Sequence, residues 1–355
     1  GSGAPQEAAD WVRYVDQHWS KHSGLLWELG NELWGNFNLG YPILRDLPGR
    51  TLEFSKAVRS ADPHARLIAT GQDPDDYQKW NAAQVTDPPN TFDYLSTHFV
   101  VTTNRTEISN DTPDAIAKDT FALPVELGRR LRTMQAQINE SQNFRNKTHI
   151  AFTEWLFACC DRSAVNAPRW DNMGGAIAAA GFFNMVIQNA DVVPISDMTG
   201  IIEFAGIWKK RGRVYATPAY YTFRLYSTAD ADVSVDVESN SGEYDVHHGI
   251  TRLPEIAKVP FLEVVATLNK RGDRLTLFCL NRHLNQDIPA TISLEGFSAA
   301  PDATVESLSA TSIYEENDEV RPNAIKPVQS TVALARSQLH YTFRHESIAR
   351  IELRR

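Results

Sequence analysis

The chain has 355 residues, 42% of them hydrophobic and 22% charged, with a formal net charge of -9. That is ordinary globular composition, with room for a large core and about two domains. Lysines and arginines stand singly or in short runs such as Lys209-Lys210-Arg211, which argues against a nucleic-acid partner, and no apolar run reaches the ~20 residues of a membrane span. No signal peptide is visible. The chain begins at Gly1 without Met, so removal of an upstream segment stays open, as does the choice between a cytoplasmic and a secreted location.

Residues 7–20 place Ala8, Trp11, Val12, Val15 and Trp19 at helical spacing. The helix leads into Leu25-Leu26-Trp27-Glu28-Leu29-Gly30-Asn31-Glu32, an apolar run that stops on a polar pair, as a buried parallel strand does at a functional rim. Pro48-Gly49 reads as a break, and 50–60 as a helix presenting Leu52, Phe54 and Val58. Strands are expected at 66–71 and 93–99, the second ending near His98. A long polar insertion at about 101–120 is of the kind that shapes binding sites, and an amphipathic helix follows at 125–140.

The strand His149 to Trp155 again ends on a glutamate, Glu154, with Trp155 beside it. An Ala- and Gly-rich helix at 172–190 and a strand at 191–197 complete five strand–helix units of the parallel βαβ kind. After about residue 228 the pattern turns to short alternating strands, among them 261–268, 274–281, 290–294 and 348–353, the texture of an antiparallel β-sandwich. The expected division is therefore 1–228 and 229–355.

Glu32 and Glu154 each close an apolar strand and each has a tryptophan close by, Trp34 and Trp155. Paired carboxylates at one rim with flat aromatics beside them are the parts of glycoside hydrolysis. Either glutamate alone reads equally as a helix N-terminal charge or a solvated loop residue. His98 is placed to hydrogen-bond one carboxylate, or is a satisfied core histidine; Asn31 suits a sugar hydroxyl.

The run Trp27 to Glu32 is similar to the acid/base strand of clan A retaining glycosidases, and Phe152-Thr153-Glu154-Trp155 resembles their nucleophile strand. With Asp171 to Asp197, Thr217-Pro218-Ala219-Tyr220-Tyr221 and Ser312 to Asp318, the chain resembles glycoside hydrolase family 51, the α-L-arabinofuranosidases. The resemblance implies an α/β fold, a (β/α)8 TIM-type barrel lacking its first strands, followed by a C-terminal antiparallel β-sandwich. It implies Glu32 as general acid/base at the end of the fourth barrel strand and Glu154 as nucleophile at the end of the seventh. Asn31 would contact the sugar 2-hydroxyl, with Trp34, His98 and Trp155 also at the substrate. It implies an oligosaccharide or polysaccharide substrate and no metal or organic cofactor. An open sheet exposes an edge and apolar surface, so a homo-oligomer or a second chain is expected to cover it.

Three positions depart from the family pattern: His98-Phe99-Val100 stands where His-x-Tyr is usual, and Gly200 and Glu203 align with a rim glutamine and asparagine. Glu203 is then a third acidic group at the site or a solvated loop residue. Rival readings are a clan A β-xylosidase, β-glucosidase or endoglucanase, and an inactive saccharide-binding fragment. Cys159, Cys160 and Cys279 make no disulfide framework or zinc pattern, and Asp161-Arg162 reads as an ion pair. Trp170 and Trp208 read as core or rim aromatics. Asp73, Asp75 and Asp76 read as a solvated turn, without the glycine-centred loop of a calcium site. Sequons at Asn104, Asn110, Asn139 and Asn146 read as chance.

Overall fold

The computed structural model describes residues 2–19, 25–101, 111–157, 166–249, 252–335 and 337–355. Cys159-Cys160, Asp161-Arg162, the sequons at Asn104 and Asn110, and much of the expected 101–120 insertion lie outside the described residues. The chain packs as two compact units. One comprises Gly1–Phe99, Arg129–Trp155 and Asp191–Asp197; the other comprises Val100–Gly128, Leu156–Ala190 and Met198–Arg355.

The first unit is built on a five-stranded sheet whose strands lie in chain order: β1 (Leu26–Leu29), β2 (Arg66–Ala69), β3 (Tyr94–Val101), β4 (His149–Phe157) and β5 (Ile195–Met198). β1 and β3 both run parallel to β2. All five strands fall where the apolar runs predict them; β5 is the shortest match, starting only after Pro194, which has no N–H for a ladder. β1 and β5 are the edges of this open sheet.

Helix α1 (Pro5–His18) precedes β1, and α2 (Leu47–Ala61) and α3 (Gln78–Gln84) flank β2 in sequence. α2 corrects the expected break at Pro48. A proline is tolerated in the first turn because its missing N–H has no helical partner to lose. The buried stripe of α2 is Leu47, Thr51, Ser55 and Val58, and Leu52 and Phe54 are only half-buried. Its two hydroxyls are satisfied inside: Thr51 donates to the Leu47 carbonyl, and Ser55 to the Thr91 carbonyl at 2.6 Å. α1 buries Ala9 and Val12 but leaves Trp11 and Trp19 exposed, although both sit at the helical spacing of a core face. Trp11 meets Trp27 of β1 edge-on at 5.9 Å.

Helix α4 (Pro113–Glu140) starts 12 residues before the expected 125–140 segment and runs through an internal proline, Pro124. In the second unit Pro124 packs against Gly181 of helix α5 (Met173–Gln188), where a Cβ would come within 2.9 Å of the proline ring. α5 is buried over nearly its whole circumference from Met173 to Met185, and Asn172 caps it by accepting from the Gly175 N–H. The hairpin β6 (Ile207–Lys210) and β7 (Arg213–Ala216) leads to α6 (Pro218–Ser227), capped by Thr217.

Eight further strands form one sheet. They are β8 (Val233–Val235), β11 (Leu262–Leu268), β12 (Arg274–Asn281), β13 (Ile288–Ser293), β14 (Asp302–Ser309), β15 (Val328–Ala335), β16 (Gln338–Phe343) and β17 (Ser347–Arg354). Their order is β13-β16-β15-β14-β17-β12-β11-β8, with antiparallel pairing throughout. The sheet curls so that Leu277 and Cys279 of β12 share a core with Leu339 and Phe343 of β16. The result is sandwich-like, as the alternating pattern implies. β9 (Glu243–Val246) and β10 (Ile256–Pro260) make a separate hairpin.

Candidate active site

The candidate site lies within the first unit, on the turn after β1 and in the later halves of β3 and β4. β1 gives way at Gly30, whose φ of +103° suits glycine; a Cβ there would also meet Leu33 at 2.8 Å. Glu32 itself adopts a left-handed φ of +47°, uncommon for a side-chain-bearing residue and held here by its surroundings. Its carbonyl accepts from the Gly35 N–H and from Asn38 Nδ2, both at 2.8 Å, while the Thr70 hydroxyl donates to the Gly30 carbonyl. The turn is thereby fixed from both sides.

His98, on β3, is 5% exposed and forms the centre of the cluster. Its Nδ1 lies 3.0 Å from Glu32 Oε1 and 3.7 Å from Glu154 Oε2. Its Nε2 lies 3.1 Å from the Thr153 hydroxyl, which in turn donates to Glu28 Oε1 at 3.1 Å. One atom each of Glu32, His98 and Glu154 lies within 4.8 Å of the others, the only such set of three among the described residues. That spacing suits a cation or a shared proton. The acidic side chains remain reachable, with 23% of Glu32 and 32% of Glu154 exposed.

Glu28 has 29% of its side chain open, yet burial raises its pKa, an effect opposed first by a hydrogen bond from Ser96, then by the neighbouring His98 and the hydroxyl of Thr153. The neighbouring Asp197 adds to the rise, and its own carboxyl is likewise raised by burial. Burial thus raises the pKa of two carboxyls, Glu28 and Asp197, in the neighbourhood of Glu32 and Glu154.

The residues predicted at the site divide. Glu32, His98 and Glu154 come together. Asn31 stands exposed beside Glu32, and Trp34 is half-buried against Leu33, Leu47 and Trp80, with Phe37 edge-on at 6.0 Å. Trp155 is a correction: it is 0% exposed, stacks near Phe152 and donates its indole N–H to Ser196 at 2.8 Å, so neither face is open to a sugar. In a strand, the side chain following Glu154 points to the opposite face, here into the core. Glu203 is exposed in a turn of the second unit, with Trp170 meeting Phe204 edge-on at 5.9 Å there. Asp73 and Asp76 share a turn through the Asp76 N–H. Cys279 is a buried free thiol. Glu28, Thr153 and Asp197 carry no motif of their own in the sequence; the available signal is a carboxylate interrupting the otherwise apolar Leu26 to Leu29.

Residues 163–347 match the model of the α-L-arabinofuranosidase C-terminal domain. An intracellular exo-α-(1→5)-L-arabinofuranosidase from Halalkalibacterium halodurans is 18% identical over 321 residues, 85% of this chain and 62% of that protein. The chain thus spans less than two thirds of the length of that relative. In fold, it is similar to an α-L-arabinofuranosidase from Thermotoga maritima in an arabinose complex (TM-score 0.84, 21% identity, 100% of this chain and 74% of that one). It is also similar to the GH51 α-L-arabinofuranosidase from Thermotoga petrophila RKU-1 (TM-score 0.85, 21% identity, 99% and 74%). With the matched domain covering more than half of its length, the chain belongs to the family defined by the α-L-arabinofuranosidase C-terminal domain.

Proposed function

We propose that this chain is part of a retaining glycoside hydrolase that removes terminal α-L-arabinofuranosyl groups from arabinan- or arabinoxylan-type saccharides. The observation that carries the reading is the approach of Glu32 and Glu154, with an oxygen of each inside 4.8 Å. Retaining enzymes hold their two carboxyl groups about 5–5.5 Å apart, whereas inverting ones leave roughly 6.5–9.5 Å for a water. The names of the related proteins supply the arabinofuranosyl preference.

In the first step Glu154 attacks the anomeric carbon while Glu32 gives its proton to the departing glycosidic oxygen. In the second, Glu32 takes a proton from water, which attacks the same carbon and releases Glu154. Asn31 is assigned to the sugar 2-hydroxyl and Trp34 to a ring face. The five-stranded sheet is read as strands four to eight of a (β/α)8 barrel, residues 1–228 as the catalytic part and 229–355 as the sandwich domain.

The exposed edge of β1 and the neighbouring Trp11, Tyr14 and Trp19, each at least 60% exposed, are proposed to be covered by a second copy or another chain. Light scattering tests this part; a monomer mass at micromolar concentration rules out the homo-oligomer. The chemistry is tested with 4-nitrophenyl α-L-arabinofuranoside beside the β-xyloside and β-glucoside, with Glu154→Ala as control. Arabinoside turnover lost in the variant is expected. Turnover of only another glycoside keeps the mechanism and discards the substrate, and turnover of none discards both.

A further inference from the structure

Glu28 has no place in the two-carboxylate mechanism, yet it is tied to the acid/base by an unbroken chain of polar contacts. The steps are Glu28 to the Thr153 hydroxyl at 3.1 Å, Thr153 to His98 Nε2 at 3.1 Å, and His98 Nδ1 to Glu32 at 3.0 Å. The direction of such a chain follows from counting protons. The backbone N–H of Gly71 donates to the Ser96 hydroxyl oxygen at 3.3 Å, which leaves the Ser96 proton free to point at Glu28. Glu28 as a carboxylate can only accept, so it also takes the single proton of Thr153. The Thr153 oxygen is then left to accept from His98 Nε2–H. A neutral imidazole protonated at Nε2 carries its lone pair at Nδ1, the atom that faces Glu32.

We propose that Glu28, acting through Thr153, fixes the tautomer of His98 in which Nδ1 receives the acidic proton of Glu32, and so acts as a positioning residue for the acid/base. The inference rests on the assignment of Glu32 made above. Removing the acceptor at position 28 frees Thr153 to turn its proton toward His98 Nε2. The imidazole then adopts the opposite tautomer, presents an N–H to Glu32 and favours loss of the acidic proton.

The test combines imidazole nitrogen NMR with kinetics on the full chain carrying E28L, E28Q or T153V. In the wild type His98 is expected to show Nε2 protonated and Nδ1 as the acceptor, and E28L and T153V to shift that balance. E28L should lower kcat/KM for an arabinoside with a poor leaving group by ~10- to 100-fold, a part of what a general acid contributes, and move the alkaline limb of its pH profile downward. E28Q keeps an acceptor oxygen and should recover both the nitrogen shifts and the limb. Identical His98 nitrogen spectra in wild type and E28L overturn the inference, and so does E28Q impaired as deeply as E28L. A wild type inactive on every glycoside brings down the acid/base assignment instead, while the nitrogen spectra still decide the direction of the chain.

Discussion

Glu32 carries two demands that pull its environment in different directions. In the proposed mechanism it holds a proton for the leaving group and then accepts one from water, so neither a purely apolar pocket nor a fixed cation serves it. The structure gives it an imidazole at 3.0 Å, a second carboxylate close by and partial access to solvent. If Glu32 is the acid, Glu32→Ala should affect glycosides according to their leaving group. Nitrophenol departs with little protonation, so attack by Glu154 persists and a glycosyl-enzyme accumulates. Release of arabinose from a saccharide should fall by about 10²- to 10⁴-fold, the usual contribution of general acid catalysis. Mass spectrometry of the quenched variant after the aryl substrate should show the added pentosyl mass; equal loss on both substrates with no adduct would contradict the role. The meeting of Glu32 and Glu154 at His98 was foreshadowed in the sequence because a charge late in an apolar run is conspicuous, although β4 continues past Glu154 to Phe157. Trp155 misled because adjacency in sequence is not adjacency on a face: a strand alternates, and one residue after Glu154 the side chain enters the core. Glu28 was hidden for the converse reason, since its partners, Ser96 and Thr153, come from other strands.

At the scale of elements, the apolar runs of the sheet were readable because a buried parallel strand needs little else to declare it. The helices were less so. Pro124 looks like a boundary of α4, but the helix runs on to both sides of it. α2 turns Thr51 and Ser55 inward, which no hydrophobic pattern indicates; their hydroxyls reach Gln84 and the Thr91 carbonyl. Gln84 also donates to Asp87 at 2.9 Å, ending a buried polar chain between α2 and α3. Asp87 is 1% exposed, and burial raises its pKa from 3.8 to about 7 despite the Gln84 hydrogen bond. The folded state therefore keeps a proton that the unfolded chain releases near pH 4. The resulting stability is complete below pH 4 and is lost as pH rises through about 7. Asp87→Asn removes the titration while keeping an oxygen to accept from Gln84. Urea unfolding should find the variant close to wild type at pH 4 and more stable at pH 8, by at most on the order of 4 kcal/mol. A difference independent of pH would show that Asp87 titrates normally in the fold.

At the scale of the whole chain, family membership follows from a domain match centred on the second unit, whereas the carboxylates lie in the first. Integrity of the second unit is thus a separate property from the chemistry, and it hinges on a charge in an unexpected place. Arg282 follows β12 and is 1% exposed. Its guanidinium donates to Glu263 of β11 at 2.8 Å and to the Phe121 carbonyl at 3.0 Å. Glu263 also accepts from Asn184 of α5, and Asn184 accepts from the Tyr226 hydroxyl of α6 at 2.7 Å. Tyr226 stacks on Phe278 at 4.3 Å, and burial, reinforced by the charge of Glu263, pushes its phenol well above the ordinary value. Sequence alone gives Arg282 no distinction from the other arginines, because its partners come from elements 19 to 161 residues away. A buried pair of this kind contributes little net stability when matched, but removal of one partner leaves a desolvated charge. Arg282→Met should therefore destabilise the protein by about 3–5 kcal/mol, whereas Glu263→Leu with Arg282→Met should recover much of the loss, because no ion is then stranded. Chemical unfolding of the two variants separates the cases. A double variant as unstable as the single one would mean that the arginine acts mainly through its bonds to the backbone carbonyls, tying α4 to the strands irrespective of charge.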